Sequence, residues 1–308
     1  MRNHILLLLK KDIFATYINI MNKILSILFA TFISFVIFSC TSPDPAALYG
    51  LTPNDPNNPG ANIAGPRIIT KVDSAGVTIE EYFSTPSGLL QAVVNKVGDT
   101  TAIAYNSNNK INKIIYTSST AKMETKLYYD SSGKVSQITN ETFAGIQTVS
   151  FQLSELEYNA SGKVSKITQK LAFTAQPVNT DWTHYKISKM TYSGENLTKI
   201  EEENGFVTNN VFDPPNPQMG ITYLIENFDN KINPMTTLPK EYHIGRSALH
   251  SVSLIGINYN NAMKSTIIYE FFPSNPIITT VNDMVYDSYN YPISAENGVR
   301  KIYYKPIQ

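Results

Sequence analysis

The chain has 308 residues, with 25 basic and 25 acidic side chains and no net charge at neutral pH. Binding a polyanion needs clustered lysine and arginine, and no basic stripe occurs here, so nucleic acid is excluded as a partner. Only 16% of residues are charged, while tyrosine, threonine, asparagine and serine abound, a mixture that suits β-strands joined by polar turns.

At the N-terminus, MRNHILLLLKKDIFATYINI precedes a second methionine, Met21. Translation is expected to start there, with an extended leader as the alternative. From Ile24 to Phe38 no residue is charged, and Lys23 stands just before the run. A basic flank, a short apolar core and a small residue before the cut describe a secretory signal. A spanning helix would need about 20 apolar residues. The segment Ile37-Phe38-Ser39-Cys40 resembles the lipobox of bacterial lipoproteins. That resemblance implies that residues 1–39 are removed and that Cys40, the only cysteine, carries the lipid that anchors the protein. An unlipidated signal peptide is the alternative. Thr41, where an aspartate would imply retention at the inner membrane, implies the outer membrane, on either its periplasmic or its surface face. Removal of residues 1–39 takes away Arg2, Lys10, Lys11, Lys23 and Asp12, leaving a slightly acidic chain. Residues 40–66 carry six prolines and read as an extended, semi-rigid spacer.

A folded domain is expected over 67–308. Within it, YYDSSGKVSQIT (128–139) and EYNASGKVSKIT (157–168) are nearly the same unit, with weaker copies at 104–115, 191–202 and 285–296 and a distant one at 82–93. Anchored on the aromatic, they start at Phe83, Tyr105, Tyr129, Tyr158, Tyr192 and Tyr286. A repeat of drifting length around a constant turn is a series of hairpins. In one unit Met123, Thr125, Leu127 and Tyr129 fall on one strand face, and Lys122, Glu124 and Lys126 on the other. Asp130 can accept hydrogen bonds from the amides ahead, and Gly133 can take positive φ. Val135 and Ile138 are three apart, as are Ile111 and Ile114, Val164 and Ile167, and Leu197 and Ile200. Either a bulge follows each turn or both sheet faces are partly covered.

The unit Y-D/N-x-x-G-K-V-x-x-I resembles the YD repeat of RHS-type proteins, and more closely a group of exported bacterial lipoproteins with a few such units. The resemblance covers roughly 68–203 and 259–304. It implies a short antiparallel sheet, with FDNKINPM (228–235) preceding a helical insertion. Large RHS proteins close a shell with very many repeats; six or seven units are too few to enclose anything, so that function is not implied. Further on, VFDPPNPQMG reads as a loop, TTLPKEYHIG as a short helix capped by Gly245, SVSLIGINYN and KSTIIYEFF as strands, and Asn297-Gly298 as a hairpin turn. The fold class is mainly all-β: an elongated, twisted antiparallel sheet of consecutive hairpins with a loop and short-helix insertion on one face.

Residues able to carry chemistry are scattered. His243 and His250 are seven apart with Glu241 nearby, wider than a zinc pair. His184 beside Trp182 could line a cleft, although packing is the commoner role. Glu201, Glu202 and Glu203 are adjacent, so they cannot face each other across a sugar, and they read as a solvated strand end. Asp229, Asn230 and Asn233 lack the EF-hand pattern. Asp73-Ser74-Ala75 and Asp99-Thr100-Thr101 resemble an O-glycosylation site of exported proteins. Tyrosine rows, Tyr289 and Tyr291 above all, together with Trp182, could bind sugar rings or peptide, with sheet packing as the alternative. No catalytic, metal or cofactor residue is assigned. The expected role is non-enzymatic binding or scaffolding by a lipid-anchored envelope protein, with a glycan or an envelope protein as partner. The alternatives are an envelope enzyme acting on glycan or peptide, and an accessory subunit docked through a sheet edge.

Overall fold

The computed structural model describes residues 66–175, 177 and 181–308, so the signal segment and Cys40 lie outside the described residues. Period-two alternation and recurrent turns give successive antiparallel strands: β1 (Arg67–Ser74), β2 (Val77–Ser84), β3 (Leu90–Asn95), β4 (Thr100–Tyr105), β5 (Ile111–Thr117) and β6 (Lys122–Tyr129). The series continues through β7 (Val135–Ala144), β8 (Gln147–Tyr158), β9 (Val164–Ala172), β10 (His184–Ser193) and β11 (Asn196–Thr208). A two-residue strand, β12 (Val211–Phe212), folds back on β11, and β13 (Ile221–Ile232) takes the next ladder position beside β11. Then β14 (Asn260–Tyr269) and β15 (Ile277–Thr280) complete that side. On the other side β16 (Val285–Tyr286), β17 (Pro292–Ala295) and β18 (Arg300–Pro306) add to β1, so the first and last strands are neighbours.

In each repeat hairpin the register slips by one residue beside the aromatic position. Tyr129 pairs with Val135 while Tyr128 pairs with Gln137, which leaves Ser136 unopposed. Asn112, Ser165, Thr198 and Ile293 are the corresponding extra residues. This bulge turns both members of each i, i+3 pair to the concave face, and Ile111, Ile114, Val135, Ile138, Val164, Ile167, Leu197 and Ile200 are all buried. Of the two explanations open from sequence, the bulge is the one realised. The hydroxyls of Ser136, Ser165 and Thr198 donate to the carbonyls of Tyr128, Glu157 and Thr191 across the hairpin. The same register corrects the first repeat: Ser84, not Phe83, occupies the tyrosine position opposite Leu90. Phe83 lies one residue early and packs with Ala92 and Val94.

Between β13 and β14 the chain leaves the sheet for a 3₁₀ turn (Pro234–Thr237), the helix α1 (Lys240–Ser247) and a 3₁₀ helix (Ser251–Ile257). The helix does not end at Gly245. That residue lies inside α1, where a Cβ would stand 2.7 Å from Ile114 Cδ1, and Ala248 caps the end. Nor is SVSLIGI a strand; it turns Ser251 and Leu254 to the core as a 3₁₀ helix. A short apolar run reads alike in either form. Asn233 fixes both ends of the insert, because its Oδ1 accepts from Met235 N–H while its Nδ2 donates to the Ile255 and Asn258 carbonyls.

The insert meets strand after strand. Ile69 N–H donates to Thr237 Oγ1 at 3.0 Å, Gly245 rests on Ile114 and Leu127, Gln152 and Gln169 each donate to Ala248 O, and Leu197 N–H donates to Asn258 Oδ1 at 2.7 Å. Tyr242, Ile244 and Leu254 share one apolar core with Ile68, Leu90, Ile138, Ile167 and Ile225. Burying each such side chain stabilises by about 1.5–3 kcal/mol. As the sequence led one to expect, the insert packs on one face of the sheet, with Thr236, Lys240 and His250 left exposed. The curl is completed where β13 meets the β16–β17 turn: Ile232 N–H donates to Asn290 O at 3.1 Å, Lys231 Nζ to Asn290 Oδ1 at 2.7 Å, and the Tyr286 hydroxyl to Asp229. The opposite sheet face carries cross-strand ion pairs, among them Lys113–Glu124, Lys126–Glu141, Lys189–Glu203 and Lys264–Glu226. A lipid-facing barrel carries an apolar band; this face carries paired charges instead.

Candidate binding cleft at the repeat turns

The turn residues build a ladder along one rim of the sheet. Asn106, Asp130, Asn159 and Asp287 each accept the N–H four residues ahead at 2.9–3.0 Å, which closes the turn around a positive-φ residue: Asn109, Gly133, Gly162 and Asn290 respectively. The amide of Lys134 holds the Asp130 carboxyl below its ordinary range. From the strand before each turn, a tyrosine reaches back one repeat: Tyr105 donates to Leu90 O, Tyr129 to Ile111 O, Tyr158 to Val135 O and Tyr192 to Val164 O, at 2.5–2.8 Å. The lysine after the turn reaches forward. Lys110, Lys134 and Lys163 stand 5.0, 5.2 and 5.5 Å over the rings of Tyr129, Tyr158 and Tyr192. Lys110 and Lys163 also donate to the Gly133 and Gly194 carbonyls. Burial pushes Tyr105, Tyr158 and Tyr192 up to about 12, so these phenols keep their protons at neutral pH.

Where the ladder reaches the insert, Lys163, Tyr192, Glu195, Thr236, Leu238, Lys240 and Ile257 line a cleft of about 230 Å³. Lys163 pairs with Glu195 at 3.0 Å, and the Glu195 side chain is 74% exposed. Two ammonium groups, one carboxylate and one apolar wall can hold a small polar group by charge and contact. Tyr192 spends its hydroxyl on Val164, so it is not poised to take or give a proton. Among the described residues, no three His, Cys, Asp or Glu side chains gather as a metal site.

The residues singled out from sequence do not come together. Tyr289 and Tyr291 flank the Arg67 guanidinium, at 5.3 and 4.1 Å from their ring centres, and Tyr304 lies at 5.8 Å. Arg67 Nη1 donates to Asp287 Oδ2 at 2.5 Å in a pair whose side chains are fully buried. Burial pushes the Asp287 carboxyl up, but the Tyr291 amide and Arg67 outweigh it and leave it low. Tyr291 packs on the main core, while Tyr289 keeps 44% of its surface exposed. Trp182 is buried in a separate cluster with Ala172, Tyr185 and Val207, its ring 6.2 Å from Phe151. His184 sits instead between Phe173 and Phe206, and burial lowers its proton affinity. His243 is buried with Nε2 2.9 Å from Met235 O, and burial holds its pKa at about 4.

The triple glutamate is not a solvated strand end. Glu201 and Glu203 pair outward with Lys199 and Lys189, but Glu202 is buried, bonded to Ser188 and Ser251 and paired with Lys186 at 3.3 Å. Adjacent strand residues face opposite ways, and the inward one meets the polar end of the insert. Asp229 accepts from Asn261 Nδ2, Asn261 N–H and the Tyr286 hydroxyl, as a latch between strands. Asp73 and Asp99 accept the hydroxyls of Thr78 and Tyr116. The forward-reaching lysines were missed from sequence, although the invariant spacing of Gly133-Lys134 and Gly162-Lys163 was their signal.

No protein-family model and no curated protein sequence matches the chain. Among solved structures it is similar to a porin-like protein from Bacteroides vulgatus, at 10% identity over 78% of this chain and 99% of that one, with a TM-score of 0.41. It is also similar to a porin-like protein from Bacteroides uniformis, at 14% identity over 73% and 87% of the two chains, with a TM-score of 0.38.

Proposed function

We propose that the protein is a lipid-anchored cell-envelope protein of the outer membrane whose sheet domain binds or scaffolds without catalysis. The observation that carries this reading is the Ile37-Phe38-Ser39-Cys40 segment, which ends an uncharged run and whose cysteine stands 27 positions before the first strand at Arg67. The paired charges on the outer sheet face support it, since a domain clothed in Lys–Glu pairs stays in water beside the membrane rather than within it. The acyl chains then supply the membrane affinity, at about 0.8 kcal/mol per buried methylene. In this reading the cleft at Lys163 and Lys240 is the contact point for a polar group of a glycan or of an envelope protein.

The test is the intact mass of the mature protein from membranes, beside a Cys40→Ala form. The expected protein begins at Cys40 with three acyl chains, and the substitution removes both the acyl mass and membrane association. A native protein recovered soluble and without acyl mass overturns the reading.

A further inference from the structure

One strand edge is left open. Val281 N–H donates to Met263 O, so in the antiparallel ladder Val281, Thr279 and Ile277 turn their backbone groups toward β14. Ile278 and Thr280, between them, turn theirs away, and among the described residues no strand pairs with that side of β15. Natural sheets guard such edges with charges, bulges or cover. Here residues 271–282 contain no charged side chain, and Thr279 and Thr280 are exposed along with Ile278, at 56%. Phe271 and Phe272 at the preceding hairpin tip are also exposed, at 49% and 55%.

We infer that β15 is a self-association edge that takes the β15 of a second copy, antiparallel, about a two-fold axis at Thr279. The geometry fits a second copy for three reasons. Ile278 and Thr280 each offer one N–H and one C=O, so 278 opposite 280 of the partner, and the reverse, satisfies all eight groups in four hydrogen bonds. An uncharged strand meets no like charge when it faces itself, whereas a Lys- or Glu-bearing edge would repel its own copy. The register is also limited on both sides, by Pro276 before the strand and by the Asn282 carbonyl, which already accepts Glu296 N–H at 2.8 Å. An isologous contact of this kind closes at two copies. It does not rest on the lipid anchor.

The two-fold position gives a direct test. Thr279 would face its own copy as a non-hydrogen-bonded pair, with Cα atoms about 4.5 Å apart, inside the range a disulfide spans. Full-length protein bearing Thr279→Cys, purified from a detergent extract of whole cells and mildly oxidised, is run beside native protein and Val77→Cys, another exposed position. The expected result is a disulfide-linked homodimer from Thr279→Cys alone. Adding Ile278→Pro removes an outward N–H and leaves the bonds to β14 intact, so the cross-link is lost while the melting temperature holds. No cross-link from Thr279→Cys, or one that survives Ile278→Pro in a folded protein, overturns the inference. A cross-link to a protein of different mass also overturns it and assigns the edge to a foreign strand.

Discussion

His243 lies with its ring against the backbone of Gly256, where a Cβ would stand 2.3 Å from Nδ1. There is no room for a counter-ion or water on that side, and the other nitrogen is used on Met235 O. Burial is therefore the main cause that keeps the ring neutral, and its pKa falls from 6.5 to about 4. Between those values the unfolded chain binds a proton that the folded one refuses. Stability is full above pH 6.5 and falls as the pH drops toward 4, by up to about 3 kcal/mol from this group. Urea unfolding at pH 7 and pH 4.5 measures the loss. The His243→Gln variant, whose amide can still donate to Met235, is expected to show a smaller loss across the same interval.

At the scale of one repeat, the tyrosine hydroxyl and the following lysine tie each hairpin to its neighbours. Tyr158→Phe removes the 2.7 Å bond to Val135 O and is expected to destabilise by about 1 kcal/mol. Tyr128→Phe, on the exposed side of its strand, is expected to leave the urea midpoint unchanged. Much of this unit was legible in the sequence, because strand alternation and turn chemistry are local: Asp130, Gly133 and the Val135–Ile138 spacing announce the hairpin and pose the bulge as one of two answers. The choice between the answers is tertiary, since it depends on the insert that covers the concave face. For the same reason SVSLIGI passed for a strand and Glu202 for a solvated residue. Each takes its form from the other, far along the chain: the hydroxyl of Ser251, the first residue of SVSLIGI, donates to buried Glu202 at 2.6 Å. Phe83 misled because an aromatic one residue early outweighed the Thr85–Gly88 turn that sets the register.

Across the molecule, the first strand is held by the last ones. Arg67 is clamped by Asp287 and three tyrosine rings, with both charged side chains fully buried. Breaking a buried pair by removing one partner leaves an uncompensated charge, so Asp287→Ala is expected to cost about 3–5 kcal/mol, read by chemical denaturation. Joint replacement by Arg67→Met and Asp287→Asn, whose amide oxygen still accepts the Tyr291 N–H, should recover most of it. The clamp sits at Arg67, the first residue of β1. It also fixes an order of events. Because β1 lies between β2 and β18, the strand made first cannot be finished until the final residues have arrived, and so distant a pairing forms slowly. The sheet thus stays incomplete until the whole chain is available to fold. Loss of the last strand would expose Ile68 and Ile69, which are fully buried in the complete sheet, marking an interrupted chain for quality-control proteases.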